Sequence, residues 1–402
     1  MQSLGDALLG PWRAVPVLGL TQILAWGAIY YTPVLMVPLI AAEHGWSTTF
    51  TMGGFSLGIL VAGLVAPRVG GLVDRYAGHR VMPLGSLLGA AGLAALTRAD
   101  HPLAYLATWM VLGVAMAASL YDPAFATLGR IFGAEARRPI TLLTLAGAFA
   151  STVSWPATHV LVEAVGWHGT YLVYAALLAA IAAPLHAFAL PRTRAELEPR
   201  PVDARMPPAP VLPPRGGSFL LVVAAFAVYA AVPSGLLANL LAMFERLGLE
   251  PAKAVAIGAL FGPCQMAARL CEFLFAREVH PLNVARFAVG TLVVAFALLA
   301  AFGLSAAVAA AFMMLLGLCN GLITIARGTV PLALFGPIGY GRLIGRIAGP
   351  SLIIQSAAPL VLAAIAERTS DRIAIALAGM LVMISFACFL AIRRPAFTSR
   401  QG

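Results

Sequence analysis

Four ionisable side chains lie inside or at the ends of long apolar stretches, where charge is costly. Asp122 stands in Tyr121-Asp122-Pro123, and Arg269 and Glu272 stand in Gln265-Met266-Ala267-Ala268-Arg269-Leu270-Cys271-Glu272. Arg327 closes the run from Asn320 through Thr324. A charged side chain at the bilayer centre costs roughly 2.5–3.5 kcal/mol on insertion scales, so each is a candidate for function. A buried guanidinium can grip a carboxylate through two parallel N–H···O bonds, and Gln265, four residues earlier, shares the Arg269 helix face. Pairing with Glu272 at i, i+3, or snorkelling toward the cytoplasm, stands open beside substrate contact for Arg269. Asp122 can carry a proton or face a cation, or form a structural pair with an Arg from the cytoplasmic side.

A weaker polar set completes the candidate cavity. Asn320, Thr324 and Arg327 continue one helix face for two turns, with Asn320 expected in the cavity and Arg327, near a helix end, expected at a gate. Gln22, Trp26 and Tyr30 are spaced by four and Tyr31 follows, so Tyr30 and Tyr31 are expected near the substrate. Gln355 is a further lining candidate, and His159 falls toward the outer face. No Gly-x-x-x-x-Gly-Lys phosphate loop and no nucleophile–base constellation is present, so neither direct ATP drive nor an enzyme is supported. Cys264, Cys271, Cys319 and Cys388 fall in apolar stretches without metal-ligand spacing; no metal site, disulfide framework or cofactor is expected.

The elements that must hold these residues follow from composition. Of 402 residues, 61% are hydrophobic and 10% charged. A soluble domain carries about 25% charged residues, so this chain could not coat a water-facing surface. Its mean hydropathy of +0.91 agrees. The class is an all-α, multi-pass membrane protein; the net charge of +10 shows no dense basic patch, and no nucleic acid is expected as a partner.

A spanning helix needs about 20 mostly apolar residues, and cutting at Gly, Pro and charge clusters gives twelve such stretches. They lie near 15–38, 48–69, 81–97, 103–128, 140–163, 170–190, 218–241, 253–276, 284–302, 306–327, 346–366 and 371–392. Residues 191–217, rich in Pro and Arg, are expected as a cytoplasmic linker between an N-terminal half (1–190) and a C-terminal half (218–402). With the N-terminus inside, 20 of the 26 cations fall on the cytoplasmic side, whereas acidic residues outside the membrane split evenly. That asymmetry places both termini in the cytoplasm. The first apolar stretch is long enough to span, so no cleavable signal is expected.

Between the second and third stretches runs Gly70-Gly71-Leu72-Val73-Asp74-Arg75-Tyr76-Ala77-Gly78-His79-Arg80. This resembles the signature loop of the major facilitator superfamily, G-x-L-x-D-R-x-G-x-R, with Ala77 for the usual Gly and His79 at the usual Arg position. The resemblance implies twelve helices in two six-helix halves and a gate that includes Gly70, Asp74, Arg75 and Arg80, to which Arg327 is added by its place near a helix end. Gly70 would let helices approach closely, and Asp74 would sit near a helix N-terminus or pair with a cytoplasmic Arg. At a shift of 202 residues Leu72 and Arg75 align with Leu274 and Arg277, with Glu272 and Ala276 in place of the Gly and Asp.

Further residues narrow the resemblance. His44-Gly45-Trp46-Ser47, Gly63-Leu64-Val65-Ala66-Pro67, Tyr121-Asp122-Pro123-Ala124-Phe125-Ala126 and Gly166-Trp167 look like the monocarboxylate-transporter and oxalate/formate-exchanger branches. In monocarboxylate transporters an Arg in the eighth helix contacts the substrate carboxylate; Arg269 matches it, while Gln265 stands where that family has an acid. The fourth-helix Arg of drug/proton antiporters is missing here, the frame reading Trp109 to Ala117. The expected protein is a secondary transporter of a small, monocarboxylate-like organic anion, bound by Tyr30, Tyr31, Asp122, Gln265, Arg269 and Asn320. Protons are a possible coupling partner and the bilayer an obligate one, in a bacterial-type inner membrane. An efflux pump for a neutral or amphipathic toxic compound, and a sensor built on the same scaffold, remain open alternatives.

Overall fold

The computed structural model describes residues 10–192 and 216–393, and every one of its regular elements is helical. Most of the expected linker lies outside the described residues, with Arg194, Arg200, Arg205 and Arg215; so do Arg394 and Arg400.

Helix starts follow capping chemistry. Ser47 accepts from the Phe50 amide at 3.1 Å, and Ser305 and Ser370 accept from Val308 and Ile373, each at 3.3 Å. Pro102, Pro251 and Pro281 stand at first helical turns, where a missing N–H costs nothing. The described helices make twelve crossings. Spans one to three are Pro11–His44, Thr48–Tyr76 and Gly78–Leu96. Span four is Pro102–Ser119 continued by Tyr121–Phe132. Spans five and six occupy 137–189 and meet at Gly166, whose φ of 70° bends an otherwise continuous helix back on itself. Spans seven to nine are Gly217–Arg246, Pro251–Gly258 with Phe261–Phe275, and Pro281–Phe302. Spans ten to twelve are Ala306–Phe335, Tyr340–Arg368 and Asp371–Ala391.

The expected stretches each find a helix, but several run longer than apolarity suggests. The segment read as a loop, Gly70 to Arg80, is corrected most: Gly70–Tyr76 belongs to span two, Gly78 opens span three, and Ala77 alone makes the turn. Arginine heads that reach water from a helix end allow the helix to outrun its apolar core.

The halves join at the Arg-rich end, which the charge bias assigns to the cytoplasm. Span two packs along span eleven there, and the inner segments of spans four and five meet spans eight, ten and eleven. One apolar core accordingly runs from the C-terminal half into Leu18, Phe125, Leu128, Ile140 and Leu143, while a second, around Ile29, Trp109, Leu112 and Tyr171, belongs to the N-terminal half. Gly341, Gly345 and Gly349 recur every four residues on span eleven and face the carbonyls of Gly70, Ala66 and Gly63. A side chain at Gly341 or Gly345 would collide with span-two backbone and one at Gly349 would press on it, so this face depends on small residues.

Ala77 carries a local cost. It is the one non-glycine residue with positive φ among the described residues, at φ 67° and ψ 160°, a region almost reserved for glycine. The turn is held because Gly78 packs directly against Thr127 of span four. Strain of this kind costs about 1–3 kcal/mol. Ala77→Gly should therefore raise the midpoint of thermal unfolding of the detergent-solubilised protein, against the usual loss on introducing glycine; a lowered midpoint contradicts the strain.

Candidate functional site at the interface of the halves

The site begins with two breaks in regular helix. In span four the chain leaves helical geometry at Leu120 (φ −83°, ψ −156°), and a new helix starts at Tyr121 with Asp122 in its first turn. Pro123 supplies no N–H to the carbonyl of Ser119, four residues back. That carbonyl accepts instead from the Gln22 amide at 2.7 Å, and the Gln22 oxygen accepts from the Trp26 indole at 3.1 Å. Proline at 123 thus fixes an aromatic ring on another span.

The second break is in span one, where Trp26–Tyr31 winds as a π-helix and the Thr32 amide donates to the Gly27 carbonyl five residues back, at 3.1 Å. A wide turn of this kind brings residues five apart onto one face. Tyr30 and Tyr31 therefore both reach Trp26, with ring centroids at 4.8 and 6.0 Å. The Tyr121 ring also lies 4.9 Å from Trp26. Gly27 allows the turn to press on Ser154 of span five, where a side chain would collide.

Among the described residues, three arginines make hydrogen bonds across the halves through their guanidinium groups. Arg327 of span ten donates to Asp122 Oδ2 at 2.8 Å, and the negative charge sits at a helix N-terminus, which favours it. Arg137, at the start of span five, meets Glu272 at 2.9 Å and also donates to the carbonyls of Ala276, Arg277 and Val279, which close span eight. Thr141 adds a second donor to Glu272 at 3.2 Å. The i, i+3 alternative for Arg269 is thereby corrected: Glu272 is turned to Arg137, whose guanidinium also serves the helix-end carbonyls.

Arg269 is the exception. It is 3% exposed and reaches the Thr144 carbonyl at 2.6 Å, and no carboxylate pairs with it among the described residues. Its Nε is buried without a partner. Tyr121 and Tyr31, both from the N-terminal half, lie close enough to feel its charge.

The remaining expected residues divide by position. Gln355 donates to the Tyr30 hydroxyl across the halves at 2.8 Å, and Asn320 accepts from Tyr229 at 3.2 Å within the C-terminal half. Gln265 is half-buried one turn before Arg269. Asp74 accepts from the Gly341 and Arg342 amides at 2.8 and 2.7 Å, which places its carboxylate on the N-terminus of span eleven, and Arg130 donates to its carbonyl. Arg75 and Arg80 are exposed; Arg75 lies over the Tyr76 ring rather than across the interface. His159 pairs with Glu163 at 3.3 Å on an exposed face. Sequence reasoning missed Arg137, Thr144 and the glycine repeat of span eleven, although the four-residue glycine spacing was there to be read.

The Major Facilitator Superfamily profile matches residues 18–349. No curated protein matches the chain in sequence. Among solved structures, the human organic anion transporter MFSD10 (TETRAN) is 18% identical with TM-score 0.73, covering 94% of this chain and 99% of its own. FucP in the outward conformation is 12% identical, with TM-score 0.73 and coverage of 95% and 99%. A variant of the E. coli fucose:proton symporter FucP is 12% identical, with TM-score 0.70 and coverage of 95% and 100%. At these identities the likeness is one of fold.

The Asp122–Arg327 pair can be isolated by a double-mutant cycle. Asp122→Leu leaves a half-buried guanidinium without its counter-charge, and breaking a buried pair from one side costs up to about 3–5 kcal/mol. Thermal unfolding should show a large loss for Asp122→Leu and recovery of most of it in Asp122→Leu/Arg327→Leu. Equal losses in the single and double variants would show that the pair carries no coupling.

Proposed function

The chain belongs to the major facilitator superfamily and is a secondary transporter, and on that premise we propose that its substrate is a small organic anion held by Arg269. The single observation that carries this is a buried guanidinium at the half interface with no carboxylate partner among the described residues. An unpaired charge costs several kcal/mol to bury, and a substrate carboxylate bound to two of its N–H groups would offset that cost. Gln265 stands one turn away as a neutral hydrogen-bonding neighbour, consistent with the monocarboxylate-transporter and oxalate/formate branches apart from the replaced acid.

Alternating access supplies the mechanism. Contacts between the halves at the Arg-rich end, with Asp74 on the N-terminus of span eleven and Arg137 on the C-terminus of span eight, support reading this as the state closed to the cytoplasm. Opening inward must break both, together with the Asp122–Arg327 pair. A proton taken up by Asp122 would remove the charge that holds Arg327 and so ease that opening, which assigns Asp122 to coupling rather than to direct substrate contact. The same pairing weighs against an efflux pump in which Asp122 is the dominant free charge.

Counterflow in proteoliposomes tests the proposal. Carboxylates loaded inside should accelerate entry of a labelled carboxylate, and Arg269→Ala should reduce the rate at least a hundredfold, with Arg269→Lys recovering little because a point charge cannot bond bidentately. Undiminished counterflow in Arg269→Ala would contradict the assignment.

A further inference from the structure

We propose that the organic anion is an aromatic monocarboxylate, with its carboxylate on Arg269 and its ring against the aromatic wall of the N-terminal half. This deepens the function proposed above and rests on it.

Charge sets the first part. Of the three arginines that hydrogen-bond across the halves among the described residues, Arg327 is balanced by Asp122 and Arg137 by Glu272, which leaves Arg269 without a counter-charge. A monoanion balances it. A dicarboxylate would bring a second negative charge into a low-dielectric site that has no second unpaired cation among the described residues near Arg269, and uncompensated charge is strongly disfavoured there.

The shape and chemistry of the facing surface set the second part. Beyond the Thr144 carbonyl that Arg269 already reaches, two aromatic residues of the N-terminal half, Tyr31 and Tyr121, lie within range of its charge. Trp26 bridges them, and Trp155 continues the wall from Tyr31 at 6.3 Å with 48% of its surface exposed. A small aliphatic acid would fill the carboxylate position and leave these ring faces unused. A planar ring would engage them by offset or edge-on stacking, which adds to the gain from burying its area.

The wall is also held in place before any ligand arrives. The Trp26 indole is fixed through Gln22 to the Ser119 carbonyl, and Tyr30 is fixed by Gln355 of the opposite half. No hydrogen bond to the Tyr31 hydroxyl occurs among the described residues, so that phenol is available to a ligand. Rings already ordered lose little freedom on binding, and preorganisation of this kind is what turns contact area into affinity.

Competition binding to the purified full-length protein reads this directly, with intrinsic tryptophan fluorescence as the signal and acetate, benzoate, phenylacetate and succinate as probes. Phenylacetate or benzoate should bind at least tenfold more tightly than acetate, a ratio equivalent to about 1.4 kcal/mol, and succinate no better than acetate. Tyr31→Leu should weaken phenylacetate at least fivefold while changing acetate less than twofold, and Tyr31→Phe should keep most of the aromatic preference. The wild-type series decides the matter even where a variant folds poorly. Equal affinities for the aromatic and aliphatic monocarboxylates, or tighter binding of succinate, would overturn the inference and leave carboxylate transport standing. Failure of all four probes to bind would overturn the carboxylate assignment beneath it.

Discussion

A guanidinium inside a membrane protein must find negative charge, and the two halves of this chain are joined by how that requirement is met. Arg327 meets it through Asp122 and Arg137 through Glu272, each pair reaching from one half to the other. Arg269 crosses as well, yet among the described residues it finds only the Thr144 carbonyl and nearby phenols. In a low-dielectric interface a carbonyl dipole is a poor substitute for a carboxylate. The interface is thus balanced at two positions and one negative charge short at the third, the arrangement that the proposed anion transport calls for before substrate arrives.

Local backbone chemistry delivers the side chains to this interface. Pro123 removes one hydrogen bond from span four, and the freed carbonyl recruits Gln22, which orients Trp26. The break at Leu120 gives Asp122 a helix N-terminus within the membrane, where its charge is tolerated until Arg327 approaches. A π-turn sets Tyr31 beside Trp26, and the small residues of span eleven let span two close against it. Each feature is modest alone. Together they place an aromatic wall in one half opposite a buried arginine of the other that has no carboxylate partner among the described residues.

The twelve crossings were legible because apolar runs of the right length, bounded by Ser, Pro and Gly, have few other outcomes. For Asp74 the sequence left two outcomes open, a helix N-terminus or a cytoplasmic Arg, and its carboxylate accepts from the first amides of span eleven. Pairings were harder. Asp122 and Arg327 are separated by 205 residues, and one strand of sequence cannot say which buried charges meet. Arg269 and Glu272 looked like natural i, i+3 partners, but Arg137 also satisfies the carbonyls at the end of span eight, and that wider set of bonds wins Glu272. The π-turn left no mark in spacing, because a regular helix brings Tyr30 but not Tyr31 to the face of Trp26. Ala77 is the opposite case: its departure from the expected glycine was visible in sequence, and its strained geometry gives that departure a physical cost.

The claim on which the rest turns is that Arg269 is the carboxylate anchor. Cryo-electron microscopy of the full-length protein in lipid nanodiscs with saturating phenylacetate tests it most directly. The account predicts ligand density with its carboxylate within hydrogen-bonding distance of two Arg269 nitrogens, and its ring against Tyr31 and Trp26. Density elsewhere, with Arg269 turned to Glu272 or another protein carboxylate, would contradict it.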